Sequence, residues 1–273
     1  MGESRHNPNQ LLKTIQADEG NRNKGHLKIF FGYAAGVGKT YAMLEAAHME
    51  KQQGIDVVAG YVEPHACPKT AALLNGLEVL PTSEVLYNGM ILNEFDIDMA
   101  LKRKPQLILV DELAHTNAEG CRHAKRYQDI KELLNAGIDV YTTVNVQHIE
   151  SLCDTVASIT EIVVRERIPD SLFDNADQVE LIDIEPQDLI DRLNTGNVYR
   201  QTQAKQAVEN FFTIENLTAL REIALRRCAD RVNILTETNI FLYVYLLLHP
   251  IRKLSVPPQK WLLLLKGSLR LCL

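Results

Sequence analysis

The chain has 273 residues, 46% of them hydrophobic and 23% charged. That composition excludes a disordered chain, a collagen-like repeat and a disulfide-stapled miniprotein, and leaves room for a large core in about two domains. The formal net charge of −6 is a poor footprint for a general nucleic-acid binder, so no nucleic-acid partner is expected.

Residues 1–25 are polar apart from a short amphipathic stretch at Leu11–Ile15 and read as a flexible arm. Leu27–Phe31 is a short apolar run before a glycine-rich turn, the pattern of a buried strand. Thr40–Gln53 is rich in Ala, Met, Leu and Glu and predicts a helix ended by Gly54. Asp56–Val62 predicts a second strand and Pro68–Leu74 a short helix. Leu107–Val110 is a continuous apolar run that ends in Asp111 and Glu112. A helix is expected over His123–Asn135, a strand over Val140–Val144 and a helix over Ile149–Ile159. Beyond Glu161 the pattern weakens: Ile162–Val164 and Gln178–Ile184 read as edge strands, and Pro186–Leu193, Thr202–Phe212 and Ile214–Arg227 as helices.

Strands alternating with helices predict βαβ units and a mostly parallel sheet with helices on both faces. The expected fold is therefore α/β and P-loop NTPase-like, with a C-terminal helical extension. The expected domains are the arm at 1–25, a P-loop domain at 26–232 and a compositionally distinct tail at 233–273. From Arg231 onward, six basic residues face the single acid Glu237. The apolar run NIFLYVYLLL is well short of the ~20 residues that span a bilayer. The tail reads as a truncated or frame-shifted end, with an amphipathic membrane-surface segment as the alternative. Five cysteines with no CxxC pair, and an N-terminus MGESRHNPNQ without an apolar core, predict unpaired thiols in the cytoplasm.

The strongest chemical signal is Gly32-Tyr33-Ala34-Ala35-Gly36-Val37-Gly38-Lys39-Thr40, between a strand and a helix. Glycines in such a loop let backbone N–H groups face phosphate oxygens, and the following helix N-terminus adds partial positive charge. Lys39 is placed to reach the outer phosphates, and Thr40 to offer a hydroxyl to Mg2+. Gly32, Gly36, Val37, Gly38, Lys39, Thr40 and Tyr41 are the nucleotide-binding candidates. The strict pattern has glycine where this chain has Tyr33, so the loop is a variant. The competing reading is a tight turn with a chance lysine. Asp111, delivered by a buried strand to the sheet's C-terminal edge, is with Thr40 the candidate Mg2+ ligand, and Glu112 the candidate catalytic residue that orients or deprotonates a water.

Three further polar loops belong to the same edge. They carry Glu63 and His65, then His115, Thr116 and Asn117, then Asn145, Gln147 and His148; the sensing candidates among them are Glu63, His65, His115, Asn145 and Gln147, each also explicable by turn chemistry. His65, Cys67, His115, Cys121 and His123 match no standard zinc spacing, and neither Cys67 nor Cys121 has a partner arrangement for nucleophilic chemistry. Arg122–Arg126 (RHAKR) reads as a solvated face, or else as a phosphate-contacting patch.

The segments GYAAGVGKTYAMLEAA, GYVEPHACPKTAALLNGLEVLP, LILVDELAHTNAEGCRHAKRYQDI and GIDVYTTVNVQHIESL together resemble the N-terminal cytoplasmic domain of the Kdp potassium-sensor histidine kinases. The likeness continues through VRERIPDSLFDNADQVELIDIEPQDLIDRL and NLTALREIALRRCADRV. The resemblance implies that Gly36, Gly38, Lys39 and Thr40 bind ATP and that Asp111 and Glu112 form the Walker-B-like element. It implies a regulatory ATP-binding module, with ATP and Mg2+ as cofactors. Such a module tunes phosphorylation of a response regulator that controls high-affinity potassium uptake. Its partners are that regulator and the remaining sensor-kinase domains, through which family members are anchored in the inner membrane. The family usually has Pro where this chain has Ala35, and Gly-Arg where it has Ala66-Cys67. The kinase core has no counterpart in this chain. Two other functions stay open: a stand-alone P-loop ATPase or phosphotransferase, and an interaction domain with a vestigial loop.

Overall fold

The computed structural model describes residues 24–63, 68–87, 89–194 and 211–248, with side chains through 233. The chain divides into two compact units, Met1–Cys228 and Ala229–Leu273, and the sheet belongs to the first.

Six strands form one sheet in which every pairing is parallel: β1 (Leu27–Gly32), β2 (Val57–Tyr61), β3 (Glu78–Val79), β6 (Leu107–Val110), β7 (Asp139–Asn145) and β8 (Gln178–Ile182), in the order β3-β2-β6-β7-β1-β8. A separate antiparallel hairpin joins β4 (Ser83–Tyr87) to β5 (Met90–Glu94). The helices are α1 (Lys39–Gln52), α2 (Pro68–Leu73), α3 (Ile97–Arg103), α4 (Arg126–Asn135), α5 (Cys153–Thr160), α6 (Asp170–Asp174), α7 (Pro186–Asn194) and α8 (Ile214–Leu248).

Successive side chains of a strand point to opposite faces, and the apolar runs of β1 and β6 supply both. Ile29 and Phe31 of β1, with Ile108 and Val110 of β6, join Ile130, Leu133, Leu217 and Leu220 on one face. Phe30, Leu107 and Leu109 meet Met43, Leu44 and Ala47 of α1 on the other. The expected α/β architecture, parallel sheet and two helical layers are thus present, as is the C-terminal helical element.

Several local details differ from the sequence reading. Ile162–Val164 is not a strand: Ile162 and Val163 are exposed and give a strand nothing to cover, and the nearby pairing is a single bridge between Ile149 and Ile168. The helix expected from His123 starts at Arg126, because Asn117 donates to the His123 carbonyl and to Asp129 and holds the preceding segment as a loop. The helix expected from Ile149 starts at Cys153 after two short 3-10 turns. The hairpin and α3 were not anticipated. Asp96 caps α3 by accepting from the Met99 N–H at 2.9 Å. The expected elements at Leu11–Ile15 and over most of Thr202–Phe212 lie outside the described residues.

Gly60 shows how tightly the layers meet. The register of β2 on β6 shifts between Ala59 and Tyr61, and a Cβ at Gly60 would stand 2.7 Å from Ile108 Cδ1 and 2.9 Å from Phe95 Cε2. Gly60→Ala is expected to cost about 1–3 kcal/mol by overpacking, read as a lower urea midpoint at unchanged slope.

Candidate functional site

A cleft of about 800 Å3 lies over the C-terminal edge of the sheet, lined by the 35–42 segment, Asp111, Glu112, His115, Asn145, Gln147 and residues from four further segments. The strand order creates it. β7 separates β1 from β6, so the loop after β1 and the carboxylates after β6 flank the end of β7, as expected at the edge of an open parallel sheet.

The loop is built by backbone geometry. Gly36 and Gly38 have φ of 87° and 109°, conformations that L side chains rarely adopt. Gly32 fills no part of the cleft: a Cβ there would meet Val37 Cγ2 at 2.7 Å, so its role is close packing beneath the loop. Val37 is buried, and Tyr41 stands exposed on the first turn of α1. Tyr33 is fully buried, and its hydroxyl donates to the Ile184 carbonyl at 3.1 Å. Burial pushes that phenol up to about 12.

Lys39 is buried, and its ammonium donates to the Ala34 carbonyl at 3.0 Å. Burial lowers its pKa to about 8, against the opposing pull of Asp111 and Glu112. Thr40 donates to Asp111 Oδ2 at 3.0 Å, and Thr143 of β7 donates to Asp111 Oδ1. The Asp111 carboxylate, 1% exposed, is thereby fixed between the loop and the middle strand. A hard divalent cation takes oxygen ligands of this kind.

Glu112 adopts φ 59°, a costly region for a residue with a side chain. Its N–H is held by Asp111 Oδ1 at 3.1 Å and Thr143 Oγ1 at 3.3 Å, which sustains the strained turn. Burial raises its carboxyl to about 7, with Asp111, Glu63 and Glu166 adding repulsion. The native carboxyl thus keeps its proton into a range where the unfolded chain has released it, and stability falls as pH rises from about 4.5 through 7. Glu112→Gln is therefore expected to match the parent near pH 4 and to melt at a higher temperature at pH 8.

His115 reaches both oxygens of the buried Glu94 at 3.2 Å, and its Nδ1 stands 3.8 Å from Glu112 and 3.9 Å from Glu166. Asn145 Oδ1 and Gln147 Oε1 are buried without a hydrogen-bond partner. Glu63 is exposed and pairs with the Tyr61 hydroxyl, outside the residues lining the cleft. His65 lies outside the described residues.

The RHAKR segment is a solvated face only in part, since Arg122 is exposed, and among the described residues none of it lines the cleft. Arg126 is 0% exposed, donates to Glu94 at 2.8 Å and stacks on Tyr61 at 4.0 Å. Arg122 pairs with Asp98 and Glu132. Its neighbour Lys125 donates to Thr116. These side chains brace the loop after β6.

Thr143, Glu166 and Arg192 line the cleft without having been site candidates, and so does His148, which was read only as part of the polar loop after β7. His148 belonged to the same polar loop as Gln147 and was legible there. Burial keeps its imidazole below the usual range while its Nδ1 donates to the Glu166 carbonyl at 2.8 Å. Glu166 and Arg192 had no local signal, since the chain's return over the edge brings them in.

Fold and site together define a parallel α/β domain with a glycine-rich strand–loop–helix turn facing a paired-carboxylate strand. Residues 23–232 match the family described as KdpD, osmosensitive K+ channel His kinase sensor domain, and the chain belongs to that family. It is 63% identical over 229 residues to the sensor protein KdpD of Clostridium acetobutylicum, covering 84% of this chain and 25% of that protein. It is 56% identical over 229 residues to the Escherichia coli K12 sensor protein KdpD, with the same 84% and 25% coverage. Identity to the Mycobacterium tuberculosis H37Rv sensor protein KdpD is 52% over 208 residues, or 76% of this chain and 24% of that protein. The chain spans about a quarter of the length of these relatives. Among the described residues no helix is long and apolar enough to cross a membrane.

Proposed function

We propose that this domain binds ATP with Mg2+ and acts as the regulatory nucleotide module of a two-component potassium sensor, tuning phosphorylation of a response regulator that governs high-affinity potassium uptake. The carrying observation is Lys39. A buried ammonium held by one backbone carbonyl, behind two left-handed glycines and at the floor of an 800 Å3 cleft, is unfavourable for folding alone. A polyphosphate supplies counter-charge beyond that of Asp111 and Glu112.

The remaining residues fit. Backbone N–H groups of the Gly36–Thr40 loop and the start of α1 suit phosphate oxygens. Thr40 and Asp111 would hold Mg2+, which neutralises charge on the outer phosphates. The partnerless amide oxygens of Asn145 and Gln147 suit a water at the phosphate end. Nucleotide occupancy is then reported by the loops that Glu112, His115 and Asn145 anchor.

Titration of the full chain with Mg·ATP, beside Lys39→Ala, tests this. Saturable binding lost in the variant is expected, and its absence in the parent overturns the reading. A second reading, ATP turnover by the domain itself, is favoured by Glu112, whose carboxyl near 7 suits a general base. Steady phosphate release abolished in Glu112→Gln would establish it.

A further inference from the structure

The sequence motif accounts for one cation at the loop, and the cleft holds a second beside it. Arg192 of α7 is the one arginine lining the cleft among the described residues. Its Nη1 stands 3.9 Å from the place a Cβ on Gly38 would occupy. The guanidinium therefore lies against the outer side of the loop, next to the residue that precedes Lys39.

This position is built. β8 pairs with β1 at the edge of the sheet, and Ile182 at its end also lines the cleft. The connection from β8 to α7 is tied down twice. The Tyr33 hydroxyl donates to the Ile184 carbonyl at 3.1 Å. Arg221 of α8 forks onto Asp183 at 2.6–3.0 Å and onto Glu185 at 2.8 Å. Both acids at the root of α7 are thus engaged by Arg221. Pro186 and Leu189 bury the inner side of the helix, which leaves Arg192, one turn further, on the exposed rim above Gly38. The tyrosine that breaks the strict glycine pattern is what anchors this strap.

Charge and chemistry point the same way. The carboxylates lining the cleft are Asp111, Glu112 and Glu166, and its cationic side chains are Lys39, Lys69 and Arg192. A nucleotide polyphosphate adds further negative charge on the Gly36–Thr40 side. A planar guanidinium with several donors in a fixed fork suits phosphate oxygens better than any other side chain.

We infer that Arg192 is a phosphate-contacting residue of the nucleotide site, engaging the polyphosphate of a bound nucleotide from α7 beside Lys39. The inference rests on the nucleotide reading given above and extends it to a residue far from the loop in sequence. It also gives occupancy a route outward: a nucleotide that draws on Arg192 loads α7 and, through Asp183 and Glu185, Arg221 on α8.

The test is Mg·ATP binding to the full chain carrying Arg192→Ala, Arg192→Lys or Arg192→Glu, beside the parent and Lys39→Ala, with thermal melts of each. Loss of a hydrogen bond to a charged group predicts about tenfold weaker binding or more for Arg192→Ala. Arg192→Lys should fall between parent and Ala, and Arg192→Glu should be weakest, because it adds repulsion. The melts separate a loss of affinity from a loss of fold. A role in packing alone would make Ala and Glu alike in affinity and would lower their melts, which would overturn the inference. Equal affinity across the Arg192 series, with binding lost only in Lys39→Ala, would overturn it and leave the nucleotide reading standing. No binding by the parent would remove both.

Discussion

Arg126→Ala is expected to destabilise the domain by about 3–5 kcal/mol, the range for breaking a buried ion pair from one side. The two side chains are 0% and 5% exposed and 2.8 Å apart. Removing the arginine leaves the Glu94 carboxylate buried, still accepting from the Ala118 N–H at 2.9 Å and facing His115, but without its full counter-charge. It also removes the guanidinium from the Tyr61 ring and from the Asp111 carbonyl, 3.4 Å away. The damage should reach the site, because that carbonyl belongs to the residue that holds Thr40. The double variant Arg126→Met with Glu94→Gln removes both charges at similar volume and is expected to recover much of the loss. Urea unfolding of the two singles and the double closes a mutant cycle. A cost below about 1 kcal/mol for Arg126→Ala would show that water reaches Glu94 and that the pair is not the brace described.

Lys39→Met is expected to do two opposite things at pH 7: weaken nucleotide binding and raise stability. The folded ammonium titrates near 8 instead of the usual 10.5. Below pH 8 the folded state carries a charge it would rather shed, and this cost disappears as pH rises towards 10.5, where the unfolded chain is also neutral. The shift corresponds to about 3 kcal/mol as an upper limit. Part of the gain is offset by the Ala34 carbonyl, which loses a donor worth about 1 kcal/mol. The expected result is a higher melting temperature at pH 7, a gap that closes near pH 10, and a loss of Mg·ATP affinity on the order of a hundredfold. A destabilised variant with intact binding would contradict the account of Lys39 on both counts.

What the sequence disclosed followed the range of each signal. β1 and β6 were legible because a strand buried on both faces is a plain apolar run, β7 because Val-Tyr-Thr-Thr-Val is a run of strand formers, and α1 because it begins at a glycine loop and ends before Gly54. The site candidates Lys39, Thr40, Asp111, His115, Asn145 and Gln147 came together because in a parallel sheet every strand delivers its last residues to one edge.

The misreadings have equally specific causes. The β4–β5 hairpin carries exposed Leu86, Met90 and Ile91, so it lacks the alternation of a half-buried strand. Asn88-Gly89 in the sequence was nevertheless a usable turn signal. Ile162–Val164 had strand-type residues and no surface to cover. Arg126 was placed with a solvated basic run because charge composition is blind to a carboxylate 32 positions upstream. Arg192 and Glu166 enter the cleft only through packing of segments that cross the sheet edge.

The interior place of β1, beside the edge strand, has a consequence for how the chain is made. The strand lies between β7 and β8; His26 bonds to Asp139 across 113 positions, and Leu27 to Asp177 across 150. A ribosome adds about 5–20 residues per second, so β1 waits roughly 8–30 s for its second neighbour to be synthesised. For about the first three quarters of that interval its apolar residues Ile29, Phe30 and Phe31 have neither flanking strand, and for the rest only β7. The glycine loop that follows β1 is among the first parts of the domain to emerge and among the last to be set in place, since Asn145 and Ile184 are made long after it. The cleft over the sheet edge is therefore complete only once nearly the whole of this domain has left the ribosome.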